Sequence, residues 1–311
     1  MMDVRQLQNA MQRFVPGFEV REVAYTVPAG GWWPQSPFKQ RGILVSPTSR
    51  ADRGGGGAAR GVNRLWVVFG GNAMVATDWL GFVHEQLSQP SSPGGEDSRH
   101  SSAFLLLDYP GYGVNEGSPS RRAALRSATA GVRAALDEMR ATIGAPRALS
   151  YLGHSLGCAA VTQVAASLAT RPPGWLGETA PVGRIVLSAP FNSIAGIGCH
   201  FFAQLPGVSF LISVIAMTSR HAWDNVWALK ALGRGVGVRG GAPSIGIVHG
   251  TQDEIVPVQM GRDLHQLCKT LDFPRVAWIE RPSGGHNNLL DEAFAAFSQL
   301  LFSEAWPVGR L

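Results

Sequence analysis

Cysteine is scarce in this chain of 311 residues: Cys158, Cys199 and Cys268 are the only three, far apart and without a C-x-x-C pair. An odd, scattered set builds neither a disulfide framework nor a thiolate zinc site, so a reducing compartment is expected. Charge is sparse as well. Asp, Glu, Lys and Arg make up 16% of the residues, and although the net charge is +5 the basic residues form no run. A nucleic-acid track shows as a basic stripe or block, so that partner is not expected. Met1–Phe14 lacks an apolar core of signal-peptide length, which argues against secretion. Its Val4, Leu7, Met11 and Phe14 share one helical face that would dock on the domain. One strongly apolar stretch, Ile194–Met217, approaches a membrane span in length. It is interrupted by Leu205-Pro206-Gly207 and lies between two strands of one sheet, where a true span would tear the domain apart. There is no internal repeat.

What is present is a hydrophobic content of 45%, enough for a full core at this length. Short apolar runs alternate with longer amphipathic ones. Phe18–Thr26, Gly42–Val45, Arg64–Phe69, Ala103–Asp108, Ala148–Leu152, Arg184–Ser188, Ser244–His249 and Arg275–Glu280 read as strands. Several are apolar throughout, as strands covered on both faces are. Helical stretches near Ser120–Ala141, Ser155–Thr170, Val258–Thr270 and Asn287–Ser303 lie among the later strands. The alternation predicts an α/β fold in one domain over 1–311: a three-layer α/β/α sandwich on a mostly parallel, eight-stranded sheet. Residues 46–61, with four consecutive glycines, and 89–102, rich in Ser, Pro and Gly, read as flexible surface loops. Residues 192–240, with Phe201, Phe202, Phe210 and Leu211, read as a short apolar cap over the carboxyl edge of the sheet.

The sharpest local feature is Gly153-His154-Ser155-Leu156-Gly157, between a strand-like run and a helix rich in small residues. A serine at a tight strand-to-helix turn takes strained backbone angles, and small neighbours let the chain pass closely. Ser155 is therefore the expected nucleophile, with the Leu156 N–H pointing into the site. A serine hydroxyl needs a base, and the base needs an orienting carboxylate. On such a sheet they follow in the order serine, acid, histidine. The run Gly250-Thr251-Gln252-Asp253-Glu254 leaves a strand at the right edge, and Gly284-Gly285-His286-Asn287 follows the next strand. Chemistry alone leaves Glu254 open beside Asp253. Of the other histidines, His249 at a strand end reads as structural and His154 as a packing group. His84, His221 and His265 sit in helical stretches, His100 in a loop and His200 in the cap. Leu65–Phe69 runs into Gly70-Gly71-Asn72-Ala73, whose glycines permit close backbone approach. The second oxyanion donor is assigned to the N–H of Asn72, with Ala73 as the alternative.

These residues together resemble the α/β-hydrolase superfamily from about residue 43 to 301. Asp108-Tyr109-Pro110-Gly111-Tyr112-Gly113-Val114-Asn115-Glu116-Gly117-Ser118-Pro119-Ser120 is similar to the D-Y-x-G-Y-G-x-S-x-G-x-P-S stretch of one branch. That branch holds the Bem-type hydrolases and the alpha/beta-hydrolase-domain-containing 12, 13 and 17 groups, with a serine aminopeptidase-like domain. Gly71-Asn72-Ala73, His249-Gly250-Thr251-Gln252-Asp253-Glu254 and Gly285-His286-Asn287 are similar to its H-G-N-A, H-G-T-x-D-E and G-H-N motifs. The resemblance implies Ser155, Asp253 and His286 as a catalytic triad. Gly70 stands where the branch has histidine and Asn115 where it has serine, differences expected to bear on substrate choice. The depalmitoylases of the branch carry an N-terminal cysteine cluster, which this chain lacks.

The resulting expectation is a serine hydrolase that cleaves a carboxylic ester or thioester, of acylglycerol, lysophospholipid or acyl-protein type, with neither cofactor nor metal. Its partner would be a lipid-like or other small acyl substrate. The expected location is the cytoplasm, with peripheral membrane contact through the cap. Two rivals stand beside it: a peptidase or amidase on the same triad, and a catalytically silent binding protein on the same fold.

Overall fold

A computed structural model describes residues 15–30, 36–48, 61–90, 98–176, 181–201, 222–234, 241–304 and 306. Eight strands form one sheet: β1 (Phe18–Val27), β2 (Phe38–Pro47), β3 (Arg64–Phe69), β4 (Ser102–Leu107), β5 (Ala148–His154), β6 (Val182–Ser188), β7 (Ser244–Gly250) and β8 (Val276–Arg281). Their spatial order is β1-β2-β4-β3-β5-β6-β7-β8. β1 and β2 pair antiparallel, as do β2 and β4, and every later pair is parallel. The helices are α1 (Trp79–Ser88), α2 (Arg121–Thr142), α3 (Leu156–Thr170), α4 (Ile194–Phe201), α5 (Asn225–Gly233), α6 (Val258–Lys269), α7 (Leu289–Glu292) and α8 (Phe294–Phe302). This is the three-layer α/β-hydrolase sandwich.

The apolar strands are explained by burial on both faces. Along β3, Leu65, Val67 and Phe69 join a core with Ala128 and Val132 of α2, Val161 and Val164 of α3, Leu229 of α5 and Leu264 of α6. Trp66 and Val68 point the other way, into a second core with Trp79 and Val83 of α1 and Phe297 and Leu300 of α8. The two-residue period of a strand distributes its side chains this way. Each fully buried Val, Leu or Phe contributes about 1.5–3 kcal/mol relative to exposure. α2 starts where the Ser120 hydroxyl accepts the Ala123 N–H at 3.1 Å, and Gly144 (φ +94°) ends it.

All eight expected strands and all four helical stretches are present, the last divided into α7 and α8 at Ala293. α1 goes beyond the pattern reading. Its Trp79, Leu80, Phe82, Val83, Gln86 and Leu87 are all buried, leaving only a narrow exposed face at Gly81, Glu85 and Ser88. Parts of the two expected surface loops belong to the core. Ser46 and Pro47 extend β2, Ser102 begins β4, and 98–101 form a packed 3-10 turn. There the Ser98 hydroxyl donates to the Phe302 carbonyl at 2.6 Å and Arg99 Nη2 to the Ser298 hydroxyl at 2.7 Å. Residues 49–60 and 91–97 lie outside the described residues, as do Met1–Phe14.

The expected cap of 192–240 is described at 192–201 and 222–234; Phe202, Phe210 and Leu211 lie outside the described residues. α5 belongs to the helical layer, with Ala228, Leu229 and Leu232 buried and the Asn225 side chain bonded to Thr162 Oγ1 and to the Phe191 carbonyl, both at 2.8 Å. α4 has no buried residue. Among the described residues no helix is long and apolar enough to cross a membrane.

Candidate active site

β5 delivers Ser155 to the carboxyl edge of the sheet at φ +54°, ψ −117°, a region closed to most non-glycine residues. The glycines around it make that turn sterically feasible. A Cβ on Gly153 would stand 2.5 Å from the Gly157 carbonyl carbon and oxygen, and one on Gly157 would overlap the Phe69 carbonyl oxygen. The Ser155 N–H is held by the Ser188 carbonyl at 2.8 Å, which ties the turn to β6. Leu156 begins α3, so its N–H has no partner within the helix and is free to meet an anion.

The acid and base loops leave β7 and β8 stitched together. Thr251 N–H donates to the Arg281 carbonyl at 2.9 Å and Gln252 N–H to the Gly284 carbonyl at 3.0 Å, while Thr251 Oγ1 donates to the Pro282 carbonyl at 2.8 Å. Asn288 Oδ1 accepts the Gly285 N–H at 2.7 Å and fixes the turn carrying His286. The outcome is a hydrogen-bonded line: Ser155 Oγ lies 2.9 Å from His286 Nε2, and His286 Nδ1 lies 2.7 Å from Asp253 Oδ2. Glu254 carries no such bond to His286; the structure brings Asp253 to it.

Asp253 is fully enclosed, and its other oxygen accepts the N–H groups of Ile255 at 2.9 Å and Val256 at 2.7 Å. Burial alone would lift its carboxyl. The bonds from His249, His286 and Val256 outweigh burial and hold it well below the ordinary carboxylate range. An ionised carboxylate only accepts, so His286 Nδ1 must carry the proton. Nε2 is then left with its lone pair facing Ser155 Oγ. The hydrogen bonds that keep Asp253 ionised thereby enforce that tautomer.

His249 and His154 have more to do here than a sequence reading assigns them. His249 Nε2 donates to the Val256 carbonyl at 2.9 Å and lies 3.5 Å from Asp253 Oδ2, clamping the acid turn. His154 packs against His286 with ring centroids 5.0 Å apart, and its Nδ1 lies 3.0 Å from Ser188 Oγ. Burial, with the neighbouring His286 second, pushes its imidazole down to about 3, so it stays neutral beside His286. Their places at the ends of β7 and β5 are visible in the sequence; the partners of His154 come from β6 and from the distant His286 loop, while the polar partners of His249 lie within seven residues of it.

The Gly70–Ala73 turn lies against Ser155: a Cβ on Gly71 would stand 3.3 Å from Ser155 Cβ and from His154 Cδ2. Ala73 takes φ +67°. The Asn72 side chain is turned to Tyr112, whose hydroxyl donates to Asn72 Oδ1 at 2.7 Å. Among the described residues no three of His, Cys, Asp or Glu gather as a metal site. Cys158, Cys199 and Cys268 are free thiols.

Comparison with known proteins agrees with this architecture. No family model matches the chain. The chain is 24% identical over 215 residues to the uncharacterised protein YfhR of Salmonella typhi, covering 64% of this chain and 63% of that protein. It is 29% identical over 186 residues to the lysophosphatidylserine lipase ABHD12 of Danio rerio, covering 56% of this chain and 42% of that one. The chain thus spans less than two thirds of the curated relatives it matches. Among solved structures, the Pyrococcus furiosus esterase Pf2001 superposes with a TM-score of 0.55 at 13% identity, over 91% of this chain and 88% of that one. At that identity the likeness concerns the fold alone, the three-layer sandwich described above.

Proposed function

We propose that the chain is a serine hydrolase that cleaves a carboxylic ester or thioester through an acyl-enzyme. The observation that carries this reading is the unbroken Ser155–His286–Asp253 hydrogen-bond line, with Ser155 strained at a helix N-terminus. As Ser155 Oγ attacks the carbonyl carbon, His286 Nε2 takes its proton. The Leu156 and Asn72 N–H groups receive the tetrahedral oxyanion, and Asp253 stabilises the imidazolium. His286 then returns the proton to the leaving alcohol or thiol. Water, deprotonated by the same nitrogen, attacks the acyl-enzyme; as the bond to Ser155 Oγ breaks and the acid leaves, His286 returns that proton to Oγ. The protein's own residues supply every group this cycle uses.

A lipid-like acyl substrate is part of the proposal. Among the described residues the large exposed hydrophobics are Val114, Phe201, Trp227 and Ile255. All lie on segments at the carboxyl edge. Val114 follows β4 and Ile255 follows β7; Phe201 ends α4, beyond β6. Trp227 opens α5, next to the Ser193–Asp224 bridge. An apolar rim favours an acyl chain over a charged peptide end, and the lysophosphatidylserine lipase among the relatives supports the same class. Contact of this rim with a membrane surface belongs to the same reading.

The test is Ser155→Ala in purified protein, assayed with p-nitrophenyl esters from acetate to palmitate and with a fluorophosphonate probe. The expected result is labelling of wild type alone and a loss of turnover of roughly a thousandfold or more, on the order seen when a serine nucleophile is removed. KM should fall with chain length in wild type, since each buried methylene is worth about 0.8 kcal/mol. Turnover surviving in Ser155→Ala would refute the mechanism, and a KM indifferent to chain length would remove the lipid-like substrate.

A further inference from the structure

The Asp108–Asn115 stretch takes no part in the reaction proposed above, yet three of its side chains converge on the oxyanion loop. The Tyr109 hydroxyl donates to the Gly70 carbonyl at 3.0 Å, and the Tyr112 hydroxyl donates to Asn72 Oδ1 at 2.7 Å. Asp108 Oδ1 accepts the Ala76 N–H at 2.5 Å. These contacts grip the loop at its start, its middle and its end.

The loop needs such a grip. Ala73 sits in the left-handed region at φ +67°, which costs a residue with a Cβ roughly 1–2 kcal/mol. Strain of this kind persists only where the surroundings over-determine the backbone. Within the loop, the Gly71 N–H reaches only the Met74 sulfur at 3.2 Å, a weak acceptor, and Asn72 itself is exposed. The gripping stretch, by contrast, is anchored to the sheet. Asn115 Oδ1 accepts the Arg41 N–H at 2.6 Å, its Nδ2 donates to the Arg41 carbonyl and to Asp108 Oδ2, both at 3.2 Å, and Glu116 accepts the Lys39 N–H at 2.8 Å. The contacts run from β2 through this stretch to the backbone beside Ser155.

We infer that Tyr112, supported by Tyr109 and Asp108, is a positioning residue that holds the Asn72 N–H in place for the oxyanion. The inference rests on Ser155 being the nucleophile. Tyr112 acts through the Asn72 side chain and leaves the proton transfers to His286. Its loss should therefore weaken transition-state binding and spare substrate binding.

The experiment compares wild type, Tyr112→Phe, Asn72→Ala and the double variant on p-nitrophenyl butyrate. Each is also titrated with an alkyl trifluoromethyl ketone, which adds to a serine to give a tetrahedral oxyanion. Phe keeps the ring against Tyr109, centroids 5.2 Å apart, and removes only the hydroxyl. The expected result for Tyr112→Phe is a fall in kcat on the order of tenfold, below the cost of losing an oxyanion donor outright. KM and melting temperature should not move, and ketone affinity should fall by the same factor as kcat. Asn72→Ala keeps the backbone N–H and should match Tyr112→Phe, with the double variant losing no more than either. Unchanged kcat and ketone affinity in Tyr112→Phe, a change in KM alone, or additive losses in the double variant would each overturn the inference. Failure of the underlying reading is seen separately, as turnover surviving in Ser155→Ala or as wild type not binding the ketone.

Discussion

Replacing Asp253 by Asn should disable the enzyme by turning its base around. The two oxygens of Asp253 have different neighbours: Oδ1 accepts the Ile255 and Val256 N–H groups, and Oδ2 faces His286 Nδ1 at 2.7 Å. An amide at this position has one acceptor oxygen and one donor NH2. Aiming the NH2 at the two backbone donors would leave both unpaired, at about 1–3 kcal/mol each. The oxygen therefore stays at the Oδ1 place and the NH2 faces His286. His286 must then present a lone pair at Nδ1 and carry its proton on Nε2, directed at Ser155. In that tautomer it cannot accept the serine proton. Where an acid of this kind is amidated, kcat falls about ten-thousandfold, equivalent to about 5 kcal/mol on the barrier. The assay is steady-state hydrolysis of p-nitrophenyl butyrate, with circular dichroism and thermal melting to establish that the Asp253→Asn variant is folded. A folded variant within about tenfold of wild-type kcat would refute the tautomer argument.

Two further outcomes follow from the same geometry. Gly157→Ala places a methyl group onto the Phe69 carbonyl, where only backbone can move, so it should destabilise by more than about 3 kcal/mol or fail to yield soluble protein; a melting temperature equal to wild type would show that the elbow can relax. His154 is held at about 3 against an ordinary 6.5, so the unfolded chain binds its proton more readily than the folded one. The stability this contributes is fully present above pH 6.5 and is lost as pH falls toward 3. Melting temperature should decline across that window in wild type and less steeply in His154→Gln, and parallel curves for the two proteins would remove His154 as the cause.

Much of this architecture is legible in the chain itself, because the determinants are local. Apolar runs such as Arg64–Phe69 and Ala103–Leu107 can only be satisfied between two layers, and the glycines of Gly153–Gly157 and Gly284–Gly285 mark where backbone must pass backbone. Ser155, Asp253 and His286 can be nominated in order because each follows a strand at one edge of a parallel sheet. Tertiary structure decided what local pattern cannot encode. The resemblance already points to Asp253 over its neighbour Glu254, but which carboxylate faces His286 and finds backbone donors at Ile255 and Val256 appears only in the fold. That the leucines of segment 225–233 are buried in the core is likewise invisible in a sequence, where exposed and buried leucines are alike. The contact of His154 with Ser188 and that of Tyr112 with Asn72 join residues 34 and 40 positions apart. Such contacts exist only once the sheet has brought its carboxyl ends together, because burial and hydrogen-bond geometry belong to the assembled layers and not to any one segment.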